Sequence, residues 1–165
     1  MKKTALILVA VSIASLSRAA LKPGDSLSPY IIHNVSTGKE YCQVCAYGGK
    51  EGKILAFGKL GDEAFWSDLE KLQRIQDANP KLGVFAQVFE AKDTESIREA
   101  AAKHGITFPV VVAVDKEWNK KYDINGVSRT IYYAHQKNDI VWTSTGLDGK
   151  AAKDLAAKVK ADLAS

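Results

Sequence analysis

"YDINGVSRTIYYAHQKNDIVWTSTGL", residues 122–147, decides the fold. Arg129 to Ala134 and Ile140 to Ser144 are rich in β-branched and aromatic residues, and read as antiparallel strands joined by the polar turn His135 to Asp139. From Gly149 onward, Leu155, Val159 and Leu163 recur at helical spacing. The chain therefore closes as strand, turn, strand, helix. Immediately upstream, "AAAKHGITFPVVVAVD", residues 100–115, reads as a helix stopped at His104-Gly105 and followed by the strand Val110 to Val114. Trp118 to Tyr122 is a short irregular or helical link.

Earlier still, Ile54 to Phe57 within "KILAFG" is a short apolar run, expected to be a buried strand. Asp62 is placed to cap a helix whose Phe65, Leu69, Leu72 and Ile75 share one face. Asn79-Pro80 ends that helix. Leu82 to Phe89 reads as a second central strand. Asp93 or Thr94 caps the next helix, which turns Ile97, Ala100 and Ala101 inward. Near the start, Tyr30 to Val35 and Lys39 to Val44 read as a hairpin around Ser36-Thr37-Gly38, after a lead-in from Lys22 to Pro29. Tyr47 to Gly52 is a glycine-rich loop without the strand and helix that a phosphate loop needs. The order is ββ-βαβαβ-ββα. Its β-α-β units call for right-handed crossovers and a central sheet covered on both faces.

The chain has 165 residues, one domain's worth, with 46% hydrophobic and 25% charged residues. Residues 1–19 read as an export signal. Lys2 and Lys3 form the basic start, Thr4 to Leu16 the apolar segment, and Ser17-Arg18-Ala19 the small-x-small cleavage pattern. Residues 20–165 are then the folded domain, periplasmic or secreted. The apolar segment is short for a membrane span and no second one follows, so no membrane association is expected after cleavage. The formal charge of +4 comes from 23 basic and 19 acidic residues. Loss of Lys2, Lys3 and Arg18 leaves a nearly neutral domain, with no electrostatic case for nucleic acid.

The element order and the three quoted stretches resemble the thioredoxin-like superfamily, in the exported branch that holds peroxiredoxins and periplasmic thiol-disulfide oxidoreductases. The resemblance implies an α/β fold of three layers, a central mixed sheet flanked by helices. It also implies a nucleophilic cysteine at the helix start after the first central strand, and a cis-proline before the penultimate strand. This sequence departs from both. The stretch Gly58 to Glu63 has no cysteine, and Asp62 and Glu63 place negative charge there. Arg129 stands where the proline would be, before Thr130, where a trans bond is expected. Its guanidinium is expected in a surface ion pair, with Asp62 or Glu63 as partners.

The two cysteines stand elsewhere, as Cys42-Gln43-Val44-Cys45. Outside the cytoplasm such a pair persists as a disulfide. Three readings apply. The first is a catalytic dithiol-disulfide couple of a thiol-disulfide oxidoreductase, acting on protein thiols or disulfides or on a redox partner protein. Cys42 is expected to be the exposed, attacking residue, with Lys39, Lys50 and Lys53 near enough in sequence to favour a thiolate. The second is a structural disulfide in a catalytically inactive binding module. A loop this short makes a weak staple, worth only about 2 kcal/mol in the chain-entropy account. The third is a soft metal such as Cu(I) on the two thiolates, with His33 the nearest further ligand. No motif calls for a cofactor. Trp66, Trp118, Trp142, Tyr132 and Tyr133 read as core and rim packing.

Overall fold

The computed structural model describes residues 21–164. The expected signal, residues 1–19, lies outside the described residues. Seven strands form one mixed sheet: β1 (Ile31–Asn34), β2 (Glu40–Cys42), β3 (Gly52–Lys59), β4 (Leu82–Phe89), β5 (Val110–Ala113), β6 (Thr130–His135) and β7 (Ile140–Thr145). Their spatial order is β2-β1-β5-β4-β3-β6-β7. β3, β4 and β5 run parallel, and every other pairing is antiparallel. Among the described residues there are five helices: α1 (Gln43–Ala46), α2 (Glu63–Asp77), α3 (Thr94–Lys103), α4 (Trp118–Tyr122) and α5 (Gly149–Leu163).

The three parallel strands explain the layering. The chain steps from β3 to β4 to β5 in one direction across the sheet, so two right-handed crossovers put α2 and α3 on the same face. α5 joins them there. Phe65, Trp66, Leu69 and Leu72 of α2, Ile97 of α3, and Leu155 and Val159 of α5 meet Ile54, Ala56, Val84, Ala86 and Val88 from alternate strand positions. The opposite face is covered by the lead-in, α1, α4 and the turn after it. There Leu27, Tyr30, Val44, Tyr122 and Ile124 pack on Leu55, Phe57, Phe85, Val111 and Tyr132. Phe57 is the hub of an aromatic cluster: Trp118 lies parallel to it at 5.8 Å between ring centroids, Tyr122 at 5.1 Å and Tyr132 at 5.9 Å.

The helix starts match the sequence reading. Asp62 Oδ1 accepts from the Ala64 and Phe65 N–H groups, Asp93 Oδ1 from Ser96 N–H, and Asp148 Oδ1 from Lys150 and Ala151 N–H. Side-chain acceptors thus satisfy amides that the first turn of each helix leaves without partners. The hairpin reading is corrected in one place. The strand expected from Lys39 to Val44 stops at Cys42, because Gln43 to Ala46 turn into α1.

Gly58 shows how closely α2 approaches β3. A Cβ there would lie 2.3 Å from the Phe65 ring. Gly58→Ala is therefore expected to cost about 2–3 kcal/mol in urea unfolding, because strand or helix must shift. Phe65→Leu in the same chain should return part of that loss. Strictly additive losses would show that this contact is not what excludes a side chain at Gly58.

Candidate functional site

Cys42 and Cys45 are joined by a disulfide, with Cα atoms 5.2 Å apart. The two sulfurs differ in setting. Cys42 is the last residue of β2 and the N-cap of α1, and it is half-buried. Its Sγ accepts a hydrogen bond from Cys45 N–H at 3.2 Å. Cys45 is exposed. This reverses the expectation that Cys42 would be the exposed member. The reason is α1 itself: Gln43 and Val44 point into the protein and bury its first turn, so the next position faces out.

Neither neighbouring tyrosine covers Cys45. Tyr41 Oη accepts from Asn34 Nδ2 at 3.0 Å. Tyr47 lies over Gly83, donates to Val84 C=O at 2.8 Å and meets Phe85 edge-on. Burial there raises the Tyr47 hydroxyl well above its ordinary range. The expected lysines are placed differently. Lys39 is exposed, but Lys50 Nζ donates to Pro80 C=O at 2.9 Å. Lys53 is buried and directed to the β6–β7 turn, where its Nζ donates to Gln136 C=O at 2.8 Å and to Asn138 Oδ1. Desolvation lowers its pKa. Two of the three cations therefore have other work. His33, the further metal ligand considered, faces Glu40 across the hairpin with Nδ1 3.8 Å from Oε1. In the bonded state neither sulfur is a thiolate.

The resemblance also pointed to the carboxyl end of β3. That position is four strands away from β2 in the sheet order, and it is filled. Ser128 Oγ donates to Asp62 Oδ2 at 2.6 Å while accepting from Lys59 N–H at 3.2 Å. Behind it Arg129 adopts φ = 68°. Its guanidinium turns inward, which corrects the expected surface pairing with Asp62 or Glu63. Nε donates to Asp68 Oδ2 at 2.8 Å, and Asp68 is wholly buried on α2. Lys71 Nζ lies 3.1 Å from the other carboxylate oxygen and also donates to Leu147 C=O at 2.7 Å. The hydrogen bond to Asp68 raises the Arg129 pKa further. The guanidinium packs so closely on Gly146 that a Cβ there would meet it at 2.7 Å. Glu63 binds Lys103 and His104 of α3 instead, which hold its carboxyl below the usual range, Lys103 foremost.

No family model matches this chain, and no curated protein matches it significantly. Solved structures do match. The thioredoxin domain of a thiol-disulfide oxidoreductase from Bacteroides vulgatus superposes with a TM-score of 0.71 at 14% identity, covering 84% of this chain and 98% of that one. A secreted disulfide oxidoreductase of Mycobacterium tuberculosis gives 0.66 at 14% identity over 80% and 95%. A thiol:disulfide interchange protein from a Bacteroides species gives 0.70 at 15% identity over 88% and 92%. The chain has the thioredoxin-like α/β fold, at sequence identities that speak for the fold alone.

The Arg129–Asp68 pair is testable. Removing one partner of a buried ion pair leaves the other charge uncompensated and typically costs about 3–5 kcal/mol. Asp68→Leu is expected to lose stability at or below the low end of that scale in chemical denaturation, because Arg129 is one-third exposed, and Arg129→Met less still, because Lys71 continues to pair with Asp68. The double variant should lose less than the sum of the two. A double variant showing the full sum would remove the pair as the reason Arg129 turns inward.

Proposed function

We propose that this is an exported protein whose Cys42–Cys45 disulfide exchanges with the thiols or disulfides of other proteins, as thiol-disulfide oxidoreductases do. The observation that carries the reading is the asymmetry of the bond, one cysteine exposed and the other half-buried at a cap. An incoming substrate thiolate has access to Cys45 Sγ. Its attack forms a substrate–Cys45 bond and breaks the Cys42–Cys45 bond. Cys42 leaves as the thiolate, where the Cys45 N–H donates to it. A second substrate thiol then attacks the substrate sulfur of the mixed disulfide and releases Cys45. The substrate is oxidised by two electrons, and Cys42 and Cys45 are reduced to thiols. Reduction of a substrate disulfide runs through the same bonds in reverse, from the Cys42 and Cys45 thiols, and re-forms the Cys42–Cys45 bond.

Two further observations support exchange over a staple. The four-residue loop constrains the unfolded chain little, and neither Tyr41 nor Tyr47 shields Cys45. The basic start, apolar segment and cleavage pattern of residues 1–19 support export to a compartment where the bond persists. Among the described residues no helix is long and apolar enough to cross a membrane. A second reading has its own observation. The resembled family's nucleophile and proline positions are occupied by the Asp62–Ser128 pair and the inward Arg129, which favours a binding module with a bonded but idle cysteine pair.

Reduction potential separates the two. Equilibration with glutathione buffers and trapping of thiols should give a value of roughly −120 to −270 mV for an exchange couple; a value below about −300 mV assigns the bond to structure. In the reduced protein, Cys42→Ser should form a mixed disulfide with glutathione at Cys45. Cys45→Ser should react more slowly at Cys42, by about tenfold, because access limits it. Equal rates would remove the proposed order of attack.

A further inference from the structure

We propose that the cleft where β4 and β5 part is a binding site for a short extended segment of another polypeptide. The ladder between these strands holds only two residue pairs, Ala86↔Val110 and Gln87↔Val111. Both strands continue past it, β4 to Phe89 and β5 to Ala113. β4 stays paired with β3 as far as Lys59↔Phe89, and β5 with β1 as far as Ile32↔Ala113. The sheet thus splits at one seam while its two halves stay intact.

The seam presents main-chain groups. Strand residues direct their N–H and C=O alternately to one neighbour and the other. Val110 C=O accepts from Val35 N–H, and Val114 N–H donates to Ile31 C=O, so Val111 and Ala113 face β4. Ala86 N–H donates to Pro109 C=O, so Val88 and Glu90 face β5. Because pairing stops at Val111, the Ala113 N–H and C=O, the Val88 C=O and the Glu90 N–H have no partner among the described residues. Unpaired strand groups are what an extended peptide recognises in strand addition. Glu90 ends β4: its φ of 59° turns the chain out of the strand, and its carboxylate is held by Lys59 at 2.7 Å.

Gln87 supplies the second, independent observation. It lines the cleft and is 1% exposed, and neither its Oε1 nor its Nε2 has a hydrogen-bond partner. An amide buried so costs about 1–3 kcal/mol for each polar group left unmade. A peptide bond is the chemical match, offering one donor and one acceptor. The cleft holds about 380 Å³, the small end of the range for ligand sites. Phe89 and Trp118 give it an aromatic wall, and Asn119 stands at the rim. It opens at the carboxyl ends of parallel strands, where open α/β sheets offer their crevices.

The test is titration of the ¹⁵N-labelled protein with N-acetyl-trialanine amide to about 20 mM, the affinity range of weak peptide capture. Saturable shifts are expected at the Glu90 and Ala113 amides, the Gln87 side-chain NH₂ and the Trp118 indole. Ala113→Pro removes a donor that the β1 ladder does not use and should weaken binding by about tenfold or more. Gln87→Leu should do the same. Replacing both cysteines by serine should leave the titration unchanged, which keeps this site separate from the redox reading. No saturable shift in the parent protein overturns the proposal. So do shifts confined to another face, or affinities unchanged in both variants. Should one variant fail to give a dispersed spectrum, the parent map and the other variant decide.

Discussion

The carboxylate of Asp68 is the constraint around which one end of this molecule is arranged. It is buried inside α2, and a buried carboxylate must be paired. Arg129, at the start of β6, and Lys71, one turn further along α2, supply the charge. Lys71 also holds Leu147 C=O, and Arg129 packs on Gly146. A single negative charge thus fixes α2, the entry to β6 and the exit from β7 to one another. The positive φ of Arg129 is held by this pairing, and its backbone C=O accepts Gly146 N–H at 2.7 Å. With Asp62 and Ser128 bonded alongside, the end of β3 is a closed polar network with its acceptors taken. A network of that kind rigidifies the sheet end.

Most of the fold was legible because its elements are long and strongly periodic. β3 to β5 and their crossover helices follow from apolar runs, aspartate caps and two stop signals. α1 was not, since four residues show no helical period, and so the exposed sulfur could not be assigned. Asp68 is legible in principle: it lies three residues after Phe65 and four before Leu72, on the apolar stripe of α2. A charge in that position signals a buried partner, and Arg129 was the cation left to find. Gln87 carries the same kind of signal. Between Phe85 and Phe89 it sits on the aromatic side of a strand of period two, where a polar side chain needs a reason. The early end of the β4–β5 ladder has no sequence signature.

Cys42 lies at the same end of the sheet as the Ala113 side of the split seam, while the segment after it carries Tyr47 back over Gly83 near the start of β4. Cys42 lies opposite Ile31 in the β1–β2 ladder, and Ile31 C=O accepts from both Val114 and Asp115, just beyond β5. β2 is two strands from β5, so the main chain at Cys42 and the Ala113 side of the cleft are roughly 10 Å apart at ordinary strand spacing. On the proposed reading, exchange takes place at the rim of the sheet, while Asp62 and Arg129 occupy the positions at its centre. Exchange needs an accessible sulfur, a leaving thiolate that is stabilised, and a substrate held long enough to react. On that reading the rim offers the first through Cys45 and the second through the cap at Cys42. The third calls for main-chain groups free to pair with a substrate, and the open ladder groups of the seam are of that kind.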